Sequence, residues 1–369
     1  LKIIQLIQKP QLRGAEIFAC QLSNHLKEQG HEVLVVSIFK GDSELPFKGK
    51  LISLDRPLSK RFFDLNGWKK FNSIIRKFKP DIIQANAADT LKFAVSSKIL
   101  FSWKHPLVYR NANKMGDFIT SKLKWQLNNF YMSKVAYVIS VSKECEKDFI
   151  KTFSYPQKKI NTVEIGVEEQ ELEGIPGDLQ KIFKRGPVIT HIGGFVPEKN
   201  HDGLINIFNK SLEKFPETQL LLLGKGNLEM KIKSKVEELQ IQNNVHFLGY
   251  RSDVLDILNN SKAFVLPSLI EGLPAVILEA MYCEIPVVAY NVGGIGEVVV
   301  QGKTGWLVEK NEQAKFQEHL EEILTGNENI ADRVKTAKNM ISDKFLNKQI
   351  AQGFAKRYFE VLNHKSGYV

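Results

Sequence analysis

Cysteine is scarce in this chain: Cys20, Cys145 and Cys283 stand far apart. They make no Cys-x-x-Cys pair and no Cys/His cluster at metal-ligand spacing. That excludes a disulfide framework and a zinc site and leaves inert thiols in a reducing compartment. No apolar run approaches the roughly 18 residues a membrane-spanning helix needs. Low-complexity tracts and short-period repeats are missing, so disordered linkers and solenoids are not expected. The first residues, LKIIQLI, read as a strand; they lack the charged start, apolar core and cleavage site of a signal peptide. The expected location is therefore cytoplasmic.

What is present fits a globular α/β protein. At 369 residues two domains are the natural expectation, and 43% hydrophobic with 25% charged residues suits a soluble fold. The net charge of +10 is unevenly placed: residues 1–170 carry 28 Lys/Arg against 16 Asp/Glu, and the remainder 23 against 25. The first half alone therefore expects an anionic partner, either a membrane surface or an acidic acceptor. No nucleic-acid motif accompanies the charge, and no nucleic-acid partner is expected.

Short apolar runs alternate with amphipathic helical patterns, as parallel sheets wrapped in helices require. KIIQLIQ, HEVLVVSIF, KLISL, DIIQANA, PLVYRN and AYVISVS read as strands of the first half. PVITHIGGF, QLLLLGKG, NVHFLGY, AFVLPS, IPVVAYN and GWLVE repeat the pattern in the second. Between the first two strands Ile17, Cys20, Leu22 and Leu26 form a helical stripe that Gly30 closes. The polar, Gly/Pro-punctuated residues 166–187 mark the junction. The expected division is an N-terminal domain over 1–170 and a C-terminal domain over 171–343. A last helix within 344–369, with Phe345, Ile350, Phe354, Tyr358 and Leu362 near one face, packs back on the first. Two Rossmann-like, doubly wound domains facing across a cleft would bind a ligand at the carboxyl ends of their strands.

The most informative stretch is PSLIEGLPAVILEAMYCEIPVVAYNVGGIGEVV, residues 267–299. Its order is strand, loop, helix, strand, loop. Glu271 lies in the loop, Pro274 suits a first helical turn, and Glu279 lies inside the helix, on the order of 10 Å from Glu271 at the helical rise. An ionised glutamate accepts from two vicinal hydroxyls at once. The N–H groups of Gly272, Leu273 and the following turn offer an anion the start of a helix. A ribose, a diphosphate and a sugar together match that set.

This segment resembles the Glu-x7-Glu signature of the family 4 retaining glycosyltransferases, which have the GT-B fold, and the resemblance runs over nearly the whole chain. Arg13-Gly14-Ala15-Glu16 is similar to the family's first loop, and HIGGFVPEKNHDGLINIF (191–208) to the opening of its second domain. LLLGKGNL, with Gly224 and Gly226, and VHFLGYRSDV, with Tyr250 and Arg251, resemble the lining of its nucleotide pocket. The resemblance implies that Glu271 contacts the donor sugar, that Glu279 binds ribose and that Lys199, beyond Gly193-Gly194, binds phosphate. A fixed cation there stabilises the charge a departing nucleoside diphosphate gains. The chain contains no Asp-x-Asp, so neither a metal nor another cofactor is expected.

Three positions depart from the family pattern. Gly194 stands where the family places an arginine, and Arg251 is the candidate to compensate. The histidine common in the first domain is missing: QANAAD holds Asn86, and VYRNANKMGD holds Arg110, Asn111 and Asn113. Asn111 or Asn113 would orient the acceptor hydroxyl, or serve as local loop bonds; Arg110 would meet the acceptor or a buried carboxylate. VEIGVE replaces the more usual Pro-Asn-Gly. In residues 57–80, Trp68 to Phe78 reads as a helix covering the sheet with a basic outer face or, alternatively, as an interfacial helix on anionic lipid, and Phe62 and Phe63 as candidates to touch a membrane.

The function expected is transfer, with retention, of a sugar from a nucleotide-sugar, most simply UDP-linked, to a saccharide or lipid-linked acceptor. Bacterial surface-polysaccharide or lipopolysaccharide assembly, at the inner face of the cytoplasmic membrane, is the setting the resemblance implies. The alternative is a non-catalytic GT-B protein that binds a sugar nucleotide or scaffolds an assembly.

Overall fold

The computed structural model describes residues 1–326 and 329–366; the end of the expected last helix, residues 367–369, lies outside them. The chain divides into two compact units, one of residues 1–168 with the chain from Leu346 onward, the other Glu169–Phe345.

The first unit holds strands β1 (Lys2–Ile7), β2 (Glu32–Phe39), β3 (Leu51–Arg56), β4 (Ile82–Ala85), β5 (Leu107–Asn111), β6 (Tyr137–Ser140) and β7 (Ile160–Thr162). They pair in the order β3-β2-β1-β4-β5-β6-β7, all parallel. Ile3, Ile4, Val35, Val36, Ile82, Ile83, Val138 and Ile139 are fully buried, because helices cover both faces of the sheet. The last strand was not among the expected ones. Its single leading isoleucine carries no periodic signal, and pairing of Ile160 with Val138 places it.

The helix Gly14–Glu28 buries Phe18, Ala19, Cys20, Leu22 and Leu26, while Ile17 is only half-buried. The buried stripe is rotated from the expected one because the helix also meets the last helix, where Phe18 and Phe354 rings lie 5.8 Å apart. That last helix is Asn347–Ser366, so Phe345 precedes it and belongs to the second unit. Asn347, Ile350, Ala351, Phe354, Ala355, Tyr358 and Val361 are buried in it. The helix Leu65–Phe78 buries Trp68, Phe71 and Ile75 and turns its lysines outward. Asp64 caps it by accepting from Gly67 N–H at 2.9 Å while Arg56 grips the same carboxylate at 2.7 and 2.8 Å. Among the described residues no helix is long and apolar enough to cross a membrane.

The second unit holds β8 (Val188–Ile192), β9 (Gln219–Leu223), β10 (Val245–Gly249), β11 (Ala263–Leu266), β12 (Val287–Tyr290) and β13 (Trp306–Val308). Their order is β10-β9-β8-β11-β12-β13, again all parallel. The strand order reverses between β1 and β4 in one sheet and between β8 and β11 in the other. In a doubly wound sheet the loops beyond that reversal are the binding edge.

A buried polar network ties the last helix to the first sheet. Tyr358 donates to Gln84 Oε1 at 2.7 Å and accepts from Gln5 Nε2 at 3.2 Å. Asn86 Nδ2 donates to Gln5 Oε1 at 2.9 Å, and Gln84 Nε2 to Asn86 Oδ1 at 3.0 Å. Tyr358→Phe should therefore leave Gln84 Oε1 unpaired in the core and cost about 1–3 kcal/mol. Urea unfolding checks this; an unchanged midpoint would mean that the hydroxyl is not needed to hold the helix.

Candidate active site

The loops that leave β8, β9, β11 and β12 gather in the second unit because their backbones touch. Gly293 has φ 58°, and a Cβ there would lie 2.1 Å from Glu271 O. Its neighbour Gly294 donates to Gly272 O at 2.5 Å. At Gly224, with φ 139°, a Cβ would come within 2.1 Å of Gly193 O. No other residue type permits either approach.

Lys199 ends a short turn, Pro197–Lys199, ahead of the helix His201–Leu212. Asn200, at φ 54°, caps that helix by accepting from Gly203 N–H at 3.2 Å and donates to Pro267 O at 3.0 Å. Leu269 N–H donates to Glu198 O at 2.7 Å. These bonds stitch the turn to the loop after β11, and Lys199 Nζ forms an ion pair with Glu271 Oε1. Glu271 is buried and Lys199 nearly so.

Pro274 immediately precedes the helix Ala275–Tyr282. Gly272, Leu273 and Pro274 are buried, and among the described residues nothing accepts the N–H of Gly272 or Leu273. Buried N–H groups rarely stay unpaired; beside Lys199, at the start of a helix, they suit an anion. Glu279 lies in this helix with some surface exposed, and among the described residues its carboxylate has no hydrogen bond or ion pair. Its surroundings are protein enough that burial pushes the carboxyl up to about 7.

Two cations differ from expectation. Arg251 cannot compensate for Gly194, because Asp178 holds it at 2.7 and 3.2 Å and Asp253 at 2.8 and 2.5 Å. Those hydrogen bonds raise its pKa above the ordinary arginine value. The uncommitted cation is Lys225, between Gly224 and Gly226. Its carbonyl accepts from Phe195 N–H at 3.3 Å, and its ammonium lies 5.8 Å from the ring of Tyr250, which is partly exposed. A lysine between two glycines at the end of a strand was the signal for it. Behind Gly193, His191 Nδ1–H donates to Val265 O at 2.9 Å, and its ring meets His201 edge-on at 4.7 Å. Burial, then Lys199, lowers His201 to about 4, so this pair adds no charge near neutrality. Among the described residues no cluster of His, Cys, Asp and Glu could hold a metal ion.

In the first unit only some of the expected residues come together. Arg13 and Gly14 are exposed at the start of their helix. Asn86 spends its amide in the Tyr358 network. Asn111 is fully buried and donates to Ser140 Oγ and Cys145 O, both at 3.3 Å. It ties β5 to β6, its Oδ1 has no partner, and it is not among the residues lining the first unit's cavity; its burial fits the alternative of local bonds. Asn86, Arg110 and Asn113 line that cavity together, which holds about 600 Å³. Arg110 has no ion-pair partner among the described residues; its guanidinium sits 4.5 Å over the Phe18 ring, and burial lowers its pKa to about 10.

Two measurements follow. Gly293→Ala should displace Glu271 and weaken UDP binding by at least about tenfold, whereas Gly302→Ala, also at positive φ but in open space, should cost only the ~1 kcal/mol left-handed penalty; calorimetry and thermal melts separate them. Because Glu279 is raised, it is largely neutral at pH 6 and ionised at pH 8, and UDP affinity should climb about tenfold over that range. Glu279→Gln should flatten the climb; an equal slope in the variant would assign it to the nucleotide.

Two family models match in succession: the Glycosyltransferase Family 4 model over residues 12–171 and the glycosyl transferases group 1 model over 179–340. An uncharacterised glycosyltransferase of Methanocaldococcus jannaschii is 29% identical over 63% of this chain and 61% of its own length. The UDP-Gal:alpha-D-GlcNAc-diphosphoundecaprenol alpha-1,3-galactosyltransferase of Escherichia coli is 28% identical over 52% of each chain. HepE of Anabaena, solved with UDP and glucose, superimposes with a TM-score of 0.83 at 21% identity, over 97% of this chain and 99% of that one. The two parallel-sheet units are those of the GT-B fold, and the chain belongs to the family 4 glycosyltransferases.

Proposed function

We propose that the chain is a retaining glycosyltransferase that moves a sugar from a UDP-sugar to a saccharide or lipid-linked acceptor in surface-polysaccharide assembly. One observation carries the reading: Lys199 and Glu271 are held together beside the two unaccepted N–H groups of Gly272 and Leu273. The N–H groups and Lys199 receive the diphosphate, Glu271 the hydroxyls of the sugar, and Glu279 the ribose. As the glycosidic C–O bond breaks, the charge developing on the β-phosphate meets a cation and a helix start already in place, without a metal ion. The departing phosphate oxygen takes the acceptor proton, and the new bond forms on the face the nucleotide leaves, so the configuration is kept.

The galactosyltransferase relative and the UDP-bound neighbour support the donor class. The excess of Lys/Arg in residues 1–170 supports an anionic acceptor. With Phe62 and Phe63 82% and 63% exposed, it also supports peripheral contact with an anionic membrane at its cytoplasmic face. Gly194 and the occupied Arg251 favour one rival, a GT-B protein that binds a sugar nucleotide without turning it over.

Incubation with UDP-sugars, with UDP release and the anomeric configuration of the product as readouts, tests the reading. Glu271→Ala and Lys199→Ala should each lower turnover by about tenfold or more, and Glu279→Ala should act mainly on donor affinity. Saturable UDP binding with neither transfer nor donor hydrolysis would select the rival, and an inverted product would remove retention.

A further inference from the structure

The cavity in the first unit is built for an anion. It lies beyond β4 and β5, holds about 600 Å³, and is lined by Arg61, Lys92, Arg110 and Lys124 with no carboxylate among its lining residues. Arg110 is 4% exposed, and neither its Nε nor its Nη1 has a partner. A buried guanidinium with unspent N–H groups is costly unless something accepts them. Lys92 has no hydrogen bond or ion pair among the described residues, and Lys124 only donates to Thr120 Oγ1 at 2.9 Å. Arg61 alone is neutralised, by Asp89 at 2.8 Å.

Part of the lining is apolar. Met115, Phe118, Ile119 and Leu127 form that part, and Leu127 belongs to the helix Lys122–Met132, which buries only Met132. Leu123, Trp125, Leu127 and Phe130 of that helix are 75%, 36%, 49% and 47% exposed. Four large apolar side chains exposed on one short helix, which through Leu127 also lines a cationic cavity, match a molecule with an anionic head and a hydrocarbon tail.

We propose that this cavity is the acceptor subsite and that the acceptor is a lipid phosphate or diphosphate. Arg110, Lys92 and Lys124 hold its phosphate, and its hydrocarbon chain lies along the exposed face of Lys122–Met132. The inference rests on the glycosyltransferase reading for the word acceptor, but the binding itself does not.

The test is calorimetric titration of the full chain with farnesyl diphosphate, inorganic diphosphate and farnesol, each in saturating UDP so that the donor site is filled. Farnesyl diphosphate should bind at least tenfold more tightly than inorganic diphosphate, and farnesol should not bind measurably. Arg110→Gln should weaken farnesyl diphosphate at least tenfold. Lys92→Ala, at the rim and harmless to folding, should weaken it severalfold. Leu127→Ser should weaken farnesyl diphosphate and leave inorganic diphosphate unchanged. UDP affinity should stay the same in all three variants. Affinity for farnesyl diphosphate that neither Arg110→Gln nor Lys92→Ala alters would overturn the proposal. So would equal binding of wild type and both variants to phosphatidylglycerol vesicles, with no preference for the diphosphate, since the patch would then be a general anionic-membrane contact. If UDP fails to bind but Arg110-dependent farnesyl diphosphate binding persists, the donor reading falls and the lipid-phosphate site stands.

Discussion

The contact between the Glu271 carbonyl and the Cα of Gly293 is the constraint on which the second unit's site rests. Two loops leaving neighbouring strands come closer than any side chain at that position would allow. The Gly294–Gly272 hydrogen bond follows from that approach and closes one face of the loop. With the carbonyl of Gly272 used inward, the N–H groups of Gly272 and Leu273 remain for something else. The Asn200 and Leu269 bonds then fix the turn of Lys199 against the same loop, so that backbone geometry sets the position of each charge.

The charges of this unit are arranged for exchange. Lys199 is largely buried and already paired with Glu271; in the proposed reaction an arriving phosphate replaces one anion by another and frees Glu271 for hydroxyls. A cation organised in advance needs no reorganisation when charge develops. Arg251 shows the contrary case: Asp178 and Asp253 hold it between two carboxylates. Lys225 stands without such partners in the loop that borders Gly194.

In the first unit the distinction runs between polar groups that are satisfied and polar groups that are not. Gln5, Gln84, Asn86 and Tyr358 close a ring of hydrogen bonds in the core that holds the fold, and Asn111 fastens two strands through its amide N–H groups while its Oδ1 stays unpaired. Arg110 is equally buried yet keeps two N–H groups unpaired, in a cavity with other cations and no acid. A fully paired buried network rigidifies, whereas an unpaired buried group is costly and needs a reason to be there.

By itself the sequence determined the alternation of strands and helices, the two-unit plan and the Glu271–Glu279 segment. Each of these is local: Val, Ile and Leu runs bounded by Gly and Pro, and a loop, proline and helix contiguous in the chain. Ile160–Thr162 escaped because three residues carry no period, and its place comes from Val138. Asn86, Asn111 and Arg251 were legible as residues but not as roles, because a role depends on what the side chain meets. Only the tertiary structure decided that Tyr358 occupies Asn86's neighbours, that Asp178 and Asp253 consume Arg251, and that Lys225 and Arg110 stay uncommitted. Composition and spacing follow the chain, whereas the pairing or loneliness of a charge is set by residues distant in sequence that folding brings within hydrogen-bond reach.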